Sequence, residues 1–159
     1  MTGHGASALP HEAESVQGRP AGLVTRGLAA VIDVAVVAAI MLAGYVGVAA
    51  VRFAWRPRTF SFPAPSTLLT FAVAGVVATG YLAIGWWIAG RTYGSAVMGL
   101  RVVNRGGGQL RFVPAVVRGA LCTLFPLGLA LCAIDPKGRA LHDLVVRSRV
   151  IYDWWPRER

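Results

Sequence analysis

Between Arg26 and Arg52 lie 25 residues, and Asp33 is the only charged one among them. No other feature narrows the possible folds as far. A membrane-spanning helix needs roughly 20 apolar residues, and this run supplies them. The apolar core of a secretory signal stops at about 15 residues. A carboxylate within the run also argues against processing, so an uncleaved helix is expected over about residues 27–51. Residues 68–89 give a second uncharged, largely apolar stretch. At 1.5 Å per residue it reaches about 33 Å, enough for a hydrocarbon core of roughly 30 Å. Trp86 and Trp87 at its end suit an interfacial anchor. Between the two, residues 52–67 are expected to be a loop, broken by Pro57, Pro63 and Pro65.

Composition agrees. Hydrophobic residues make up 55% of the chain and charged ones 14%, with a mean hydropathy of +0.57. Those values belong to a membrane protein, with the lipid bilayer as its first partner. The formal charge is +9, but the arginines flank apolar runs instead of forming one basic face, so nucleic acid is not the expected partner. Arginine supplies all the basic residues except Lys137, which together with the Ala, Val and Gly excess points to a GC-rich bacterial genome.

The remaining segments have a different rhythm. Residues 1–22 read as a mobile polar tail and 153–159 as a short C-terminal one. "RTYGSAVM" allows one or two helical turns at the interface, and "LRVVN" and "QLRF" read as strands joined by the "RGGG" turn. That turn lacks the flanking strand, helix and Lys-Ser/Thr pair of a phosphate loop. A third apolar segment, 113–134, is interrupted by Pro126 and Gly128, and "LVVRSRVIY" has the β-branched content of a strand. The expected fold is a mainly α membrane domain over 23–152. It has two transmembrane helices, a third Pro-broken segment (re-entrant or short), and a small cytoplasmic β-hairpin or three-strand element over about 99–112 and 144–152. Cys122 and Cys132 lie ten residues apart in the third segment and read as buried, inert thiols.

Three motifs, in order, carry a family resemblance: "RGLAAVID" with Arg26 and Asp33, "GRTYGSAVMGLRVVNRGGGQL", and "RALHDLVVRSRVI" with Asp143. The chain resembles the RDD family of small bacterial membrane proteins over roughly residues 19–152. It departs from the family in one place, where "VVRSRV" replaces the Gly-Thr pair common before the last strand. Members of that family have been linked to cation/proton exchange, and others occur beside larger membrane transport systems, including lipid-import machines. The resemblance implies one or the other use here.

Asp33 poses the chemical question. An aspartate at the centre of a membrane helix costs about 2.5–3.5 kcal/mol on insertion scales, so it is expected to face protein or water and to have a partner. Arg26 shares its helix face about 10.5 Å away along the axis, and Arg118 and His142 are the other candidate partners. Two readings compete. In one, Arg26, Asp33, Arg118 and Asp143 form a fixed intramembrane polar cluster. In the other, Asp33 titrates and carries a proton or cation. Ala35, Ala39, Ala43 and Gly47 recur at four-residue spacing, as do Gly75, Thr79 and Ala83, and such small ridges let helices approach closely in lipid. They point to a homo-oligomer or a complex subunit. His4, His11 and His142 are scattered, with no catalytic or metal motif and no sign of a cofactor. The expected function is that of a non-enzymatic accessory or scaffolding subunit of a membrane transport assembly, such as a lipid-import system; the alternative is an oligomeric cation/proton exchanger using Asp33.

Charge also bears on topology. Basic residues number two in the N-terminal region, three in the first loop, five from 91 to 118 and six after 134. Three full spans would divide them almost evenly. A third segment that enters and returns puts thirteen on one side against three, as the positive-inside tendency prefers. Both termini are therefore expected in the cytoplasm of a bacterial inner-membrane, multi-pass protein.

Overall fold

The first uncharged run folds as one helix, α1 (Leu23–Trp55), with Gly22 as its N-cap. Its 33 residues extend about 50 Å, longer than a hydrocarbon core of roughly 30 Å. It does not stop at Arg52: it runs on to Trp55 and ends where Arg56 precedes Pro57. Proline clashes with a helical residue before it, and Arg56 is accordingly out of the helical region, at φ −141° and ψ 70°. The expected loop over 52–67 is thus shortened to 56–66 and holds a single 3-10 turn, Pro57–Thr59. Edge-to-face contacts of Phe60 with Phe53 and Phe62, and a bond from the Tyr45 hydroxyl to the Pro63 carbonyl, fasten it to α1. The computed structural model describes residues 18–104, 106–125 and 141–153.

Helix α2 (Thr67–Ile88) begins at Ser66, whose hydroxyl accepts from the Leu69 amide at 3.3 Å. With α1 it makes two helices long and apolar enough to cross a membrane. Past its end, Gly90 takes φ +70° and the chain turns into α3 (Tyr93–Val97), then β1 (Leu100–Asn104). Trp87 points outward as an anchor should, but Trp86 is buried, against the expectation for an interfacial residue.

The sheet differs from the expected hairpin. β1 pairs antiparallel with β2 (Ser148–Tyr152), in a register from Leu100↔Tyr152 to Asn104↔Ser148. The glycine turn is present, closed by Asn104 N to Gly108 O at 2.8 Å and Gly107 N to Asn104 O at 2.9 Å, but "QLRF" is not its second strand. The Gln109 side-chain amide lies 2.6 Å from both the Trp87 and Ile88 carbonyl oxygens, satisfying acceptors that the end of α2 leaves open. Leu110 enters the core, and Phe112 already starts a helix. The N-terminal segment takes the other edge of β2: Gly18 N bonds Tyr152 O, Tyr152 N bonds Arg19 O and Ala21 N bonds Val150 O. Residues 18–21 are therefore bound to the sheet, not part of a free tail.

Helix α4 (Phe112–Leu124) carries Pro114 in its first turn, where the missing N–H costs no helical bond. It ends with Phe125 as cap, just before Pro126. Thirteen residues give about 20 Å, short of a full crossing. The expected continuation to residue 134 and Cys132 lie outside the described residues. The chain is described again at α5 (Leu141–Val146), so the first residues of the expected 144–152 strand are helical. Arg147, at φ 55°, breaks the helix and redirects the backbone into β2.

The start of α1, the end of α2, β1 and β2 meet in one sheet-bearing end, and the chain from β1 to β2 leaves that end and comes back to it. The core sits there too, formed by Ala29, Ala83, Trp86, Leu100, Val102 and Ala115 among others. α4 packs along α2, while α1 is held chiefly through the short α3.

Candidate functional site: two buried polar centres

The first centre is built on Asp143, at the start of α5 and only 1% exposed. Arg26, in the first turn of α1, places Nη1 2.5 Å from Asp143 Oδ2, and Arg118 in α4 places Nη1 2.6 Å from Oδ1. Ser148, the first residue of β2, receives a bond from Arg118 Nη1 at 2.5 Å and donates to Asp143 Oδ1 at 3.3 Å. The Arg118 guanidinium also lies 4.6 Å from the centre of the Trp86 ring, which explains why Trp86 turns inward. One carboxylate thus ties α1, α4, α5 and β2 together. Two guanidiniums share it, so among the described residues the centre carries one excess positive charge. The Nε–H groups of Arg26 and Arg118 are buried and meet no acceptor among the described residues.

The second centre is Asp33, 8% exposed and two helical turns further along α1. Its Oδ1 accepts from the Tyr81 hydroxyl at 2.7 Å and from the Gly94 amide at 2.8 Å, and its Oδ2 accepts from the Thr92 hydroxyl at 2.6 Å. All three donors are neutral. Among the described residues no ion pair includes Asp33. Thr92 is also the N-cap of α3, accepting from the Ser95 amide, so the carboxylate locks the turn of α2 into α3 against α1. The approach is close enough to require glycine at 94. A Cβ there would stand 2.1 Å from the Ala29 carbonyl oxygen.

Of the four charged residues that the sequence marks, Arg26, Arg118 and Asp143 come together and Asp33 does not join them. Arg118 is spent on Asp143 and Ser148, and Arg26 on Asp143 and the Val150 carbonyl. The His142 side chain lies outside the described residues. Tyr81, Thr92, Gly94 and Ser148 complete the two centres, and reasoning from formal charge misses all four. For Thr92 and Gly94 the available signal is the "GRTYGS" motif itself, in which Thr and Gly stand two residues apart at a helix start. Ala35, Ala39, Ala43 and Gly47 are not buried, with open space around Gly47, whereas Gly75, Thr79 and Ala83 face α4. There a Cβ on Gly119 would lie 3.0 Å from the Thr79 carbonyl, and the Thr79 hydroxyl bonds that of Thr123 at 3.3 Å.

A cavity of about 340 Å³ lies between α1, α2 and α4. Arg26, Trp86 and Arg118 line its sheet end, Asp33 and Ser95 its wall, and Val37, Ala78 and Phe125 its deeper part.

Two apolar span-length helices, a short third one and a sheet-bearing end stitched by buried charges define a helical membrane protein. The chain belongs to the RDD family, which it matches over residues 20–147. No curated protein and no solved structure matches it.

Proposed function

We propose that this protein is an accessory or scaffolding subunit of a membrane transport assembly in the bacterial inner membrane, with no catalytic step of its own. The observation that carries this reading is the saturation of Asp33 by the Tyr81 and Thr92 hydroxyls and the Gly94 amide. A carboxylate committed to three bonds from two other elements acts as a clamp. The ridge of Ala35, Ala39, Ala43 and Gly47 offers a close-packing face to a helix of another subunit or a second copy. The basic residues support an orientation with both termini in the cytoplasm and the 56–66 loop outside. Crosslinking in native membranes, followed by purification, tests the reading: it expects a larger transport subunit joined through the α1 ridge. Recovery of the chain alone, unaltered by substitutions on that ridge, contradicts it.

A second reading, an oligomeric cation/proton exchanger, is favoured by one observation: Asp33 lines the cavity. It requires proton or cation flux by the purified protein in liposomes, lost in Asp33→Asn.

A further inference from the structure

We infer that the cavity between α1, α2 and α4 binds an amphiphile with a single acyl chain and an anionic head, a carboxylate or a phosphate monoester, with the head at Arg26 and Arg118. Charge is the first ground. Arg26 and Arg118, 6% and 3% exposed, share the single carboxylate of Asp143 and keep two buried Nε–H groups without an acceptor among the described residues. An excess buried cation in a low-dielectric setting is expensive until an anion joins it, and an arginine pair suits the flat or tetrahedral oxygens of such a head. The only other charged group in the cavity wall among the described residues is Asp33. It lies about 10.5 Å from Arg26 along α1 and, among the described residues, forms no ion pair with either arginine, so its charge acts on them only from a distance.

Shape is the second ground. Along α1 the lining runs from Arg26 to Val37, about 16 Å, and along α2 it runs from Trp86 back to Ala78, about 12 Å. The guanidiniums stand at one end of this length, and past Asp33 and Ser95 the wall is apolar except for Thr123, whose hydroxyl is bonded to Thr79 and Gly119. A volume of about 340 Å³ falls within the range of pockets that hold small ligands. A polar head set at the sheet end of an elongated apolar slot, inside a protein bathed in lipid, matches an amphiphile lying parallel to the helices. This inference is independent of the scaffold reading, because either a subunit or an exchanger could hold such a ligand.

The test uses the full chain in phosphatidylcholine nanodiscs and a photoreactive diazirine analogue of palmitate, at mildly alkaline pH so that the carboxylate is ionised. Labelling should saturate and map to Val37, Ala78 and Cys122. Oleate and oleoyl lysophosphatidic acid should compete and oleyl alcohol should not. Whichever anion competes at the lower concentration identifies the head as carboxylate or phosphate. Ala78→Trp, which fills the apolar part and touches neither arginine, should weaken labelling at least tenfold, while Val24→Trp on the exposed face of α1 leaves it unchanged. Equal competition by the alcohol, no competition by either anion, or labelling confined to lipid-facing residues overturns the assignment. The competition arm needs only the wild-type chain, so it decides the matter even if Ala78→Trp fails to fold.

Discussion

Asp33 and Gly94 meet side chain to backbone. The Gly94 amide donates to Asp33 Oδ1 at 2.8 Å, and a methyl group on Gly94 would stand 2.1 Å from the Ala29 carbonyl oxygen. The glycine and the aspartate are two halves of one device. The first lets α3 touch α1, and the second fastens it there. Gly94→Ala should therefore destabilise the protein by on the order of 3 kcal/mol, the upper range for overpacking. Gly80→Ala, in the middle of α2 with open space around it, should instead be neutral or stabilise by about 0.5–1 kcal/mol. Unfolding by titration with sodium dodecyl sulfate reads both.

The Asp143 centre makes an asymmetric prediction. Asp143→Asn leaves two buried guanidiniums without a carboxylate and should cost about 3–5 kcal/mol. Arg118→Gln leaves Asp143 still paired with Arg26 and should cost less, about 1–3 kcal/mol, mainly from the lost bonds to Asp143 and Ser148. Equal costs for the two in the same titration would show that the carboxylate is not the shared node.

Arg147 carries the backbone strain in this region. It sits at φ 55°, in the left-handed region that glycine enters freely, between α5 and β2. The "VVRSRV" departure from the family's Gly-Thr pair falls on this junction, and Ser148 supplies the hydroxyl that bonds Arg118 and Asp143. Arg147→Gly should raise stability by up to about 1 kcal/mol, because relief of the left-handed cost outweighs the added freedom of the unfolded chain. Arg147→Val should lower it. The same unfolding titration distinguishes the two.

Orientation is testable with single cysteines in a background free of Cys122 and Cys132. Ser61→Cys reports the 56–66 loop and Gly106→Cys the glycine turn, both exposed. Ser148 is unsuitable, since it is buried in the Asp143 centre. An impermeant maleimide on intact cells should label position 61 and not 106, and the reverse pattern would invert the proposed topology.

How much of this can be read in the sequence depends on how far apart the partners lie along the chain. The two spans are plain because each is a local, uninterrupted apolar run. The need of Asp33 for partners is plain for the same reason. The identity of those partners is not legible: Thr92 and Gly94 come 59 and 61 residues later, and Asp143 comes 117 after Arg26. Formal charge suggests joining Arg118 to Asp33, but neutral hydroxyls and one amide are enough for Asp33, which frees both arginines for Asp143. The hairpin misleads because "RGGG" does turn the chain. Beyond the turn Gln109 closes the carbonyl end of α2 instead of starting a strand, and the sheet takes its second strand from the far end of the domain.

If Asp33 fastens α3 to α1 and carries nothing, the protein moves no protons across a bilayer. The purified protein in liposomes, under an imposed pH gradient with sodium or potassium present, should give flux equal to that of protein-free vesicles. Asp33→Asn should lower resistance to unfolding by about 1–3 kcal/mol, the cost of exchanging a charge-assisted set of bonds for an amide's. A wild-type flux above the protein-free level that disappears in Asp33→Asn, with stability unchanged, would contradict the account.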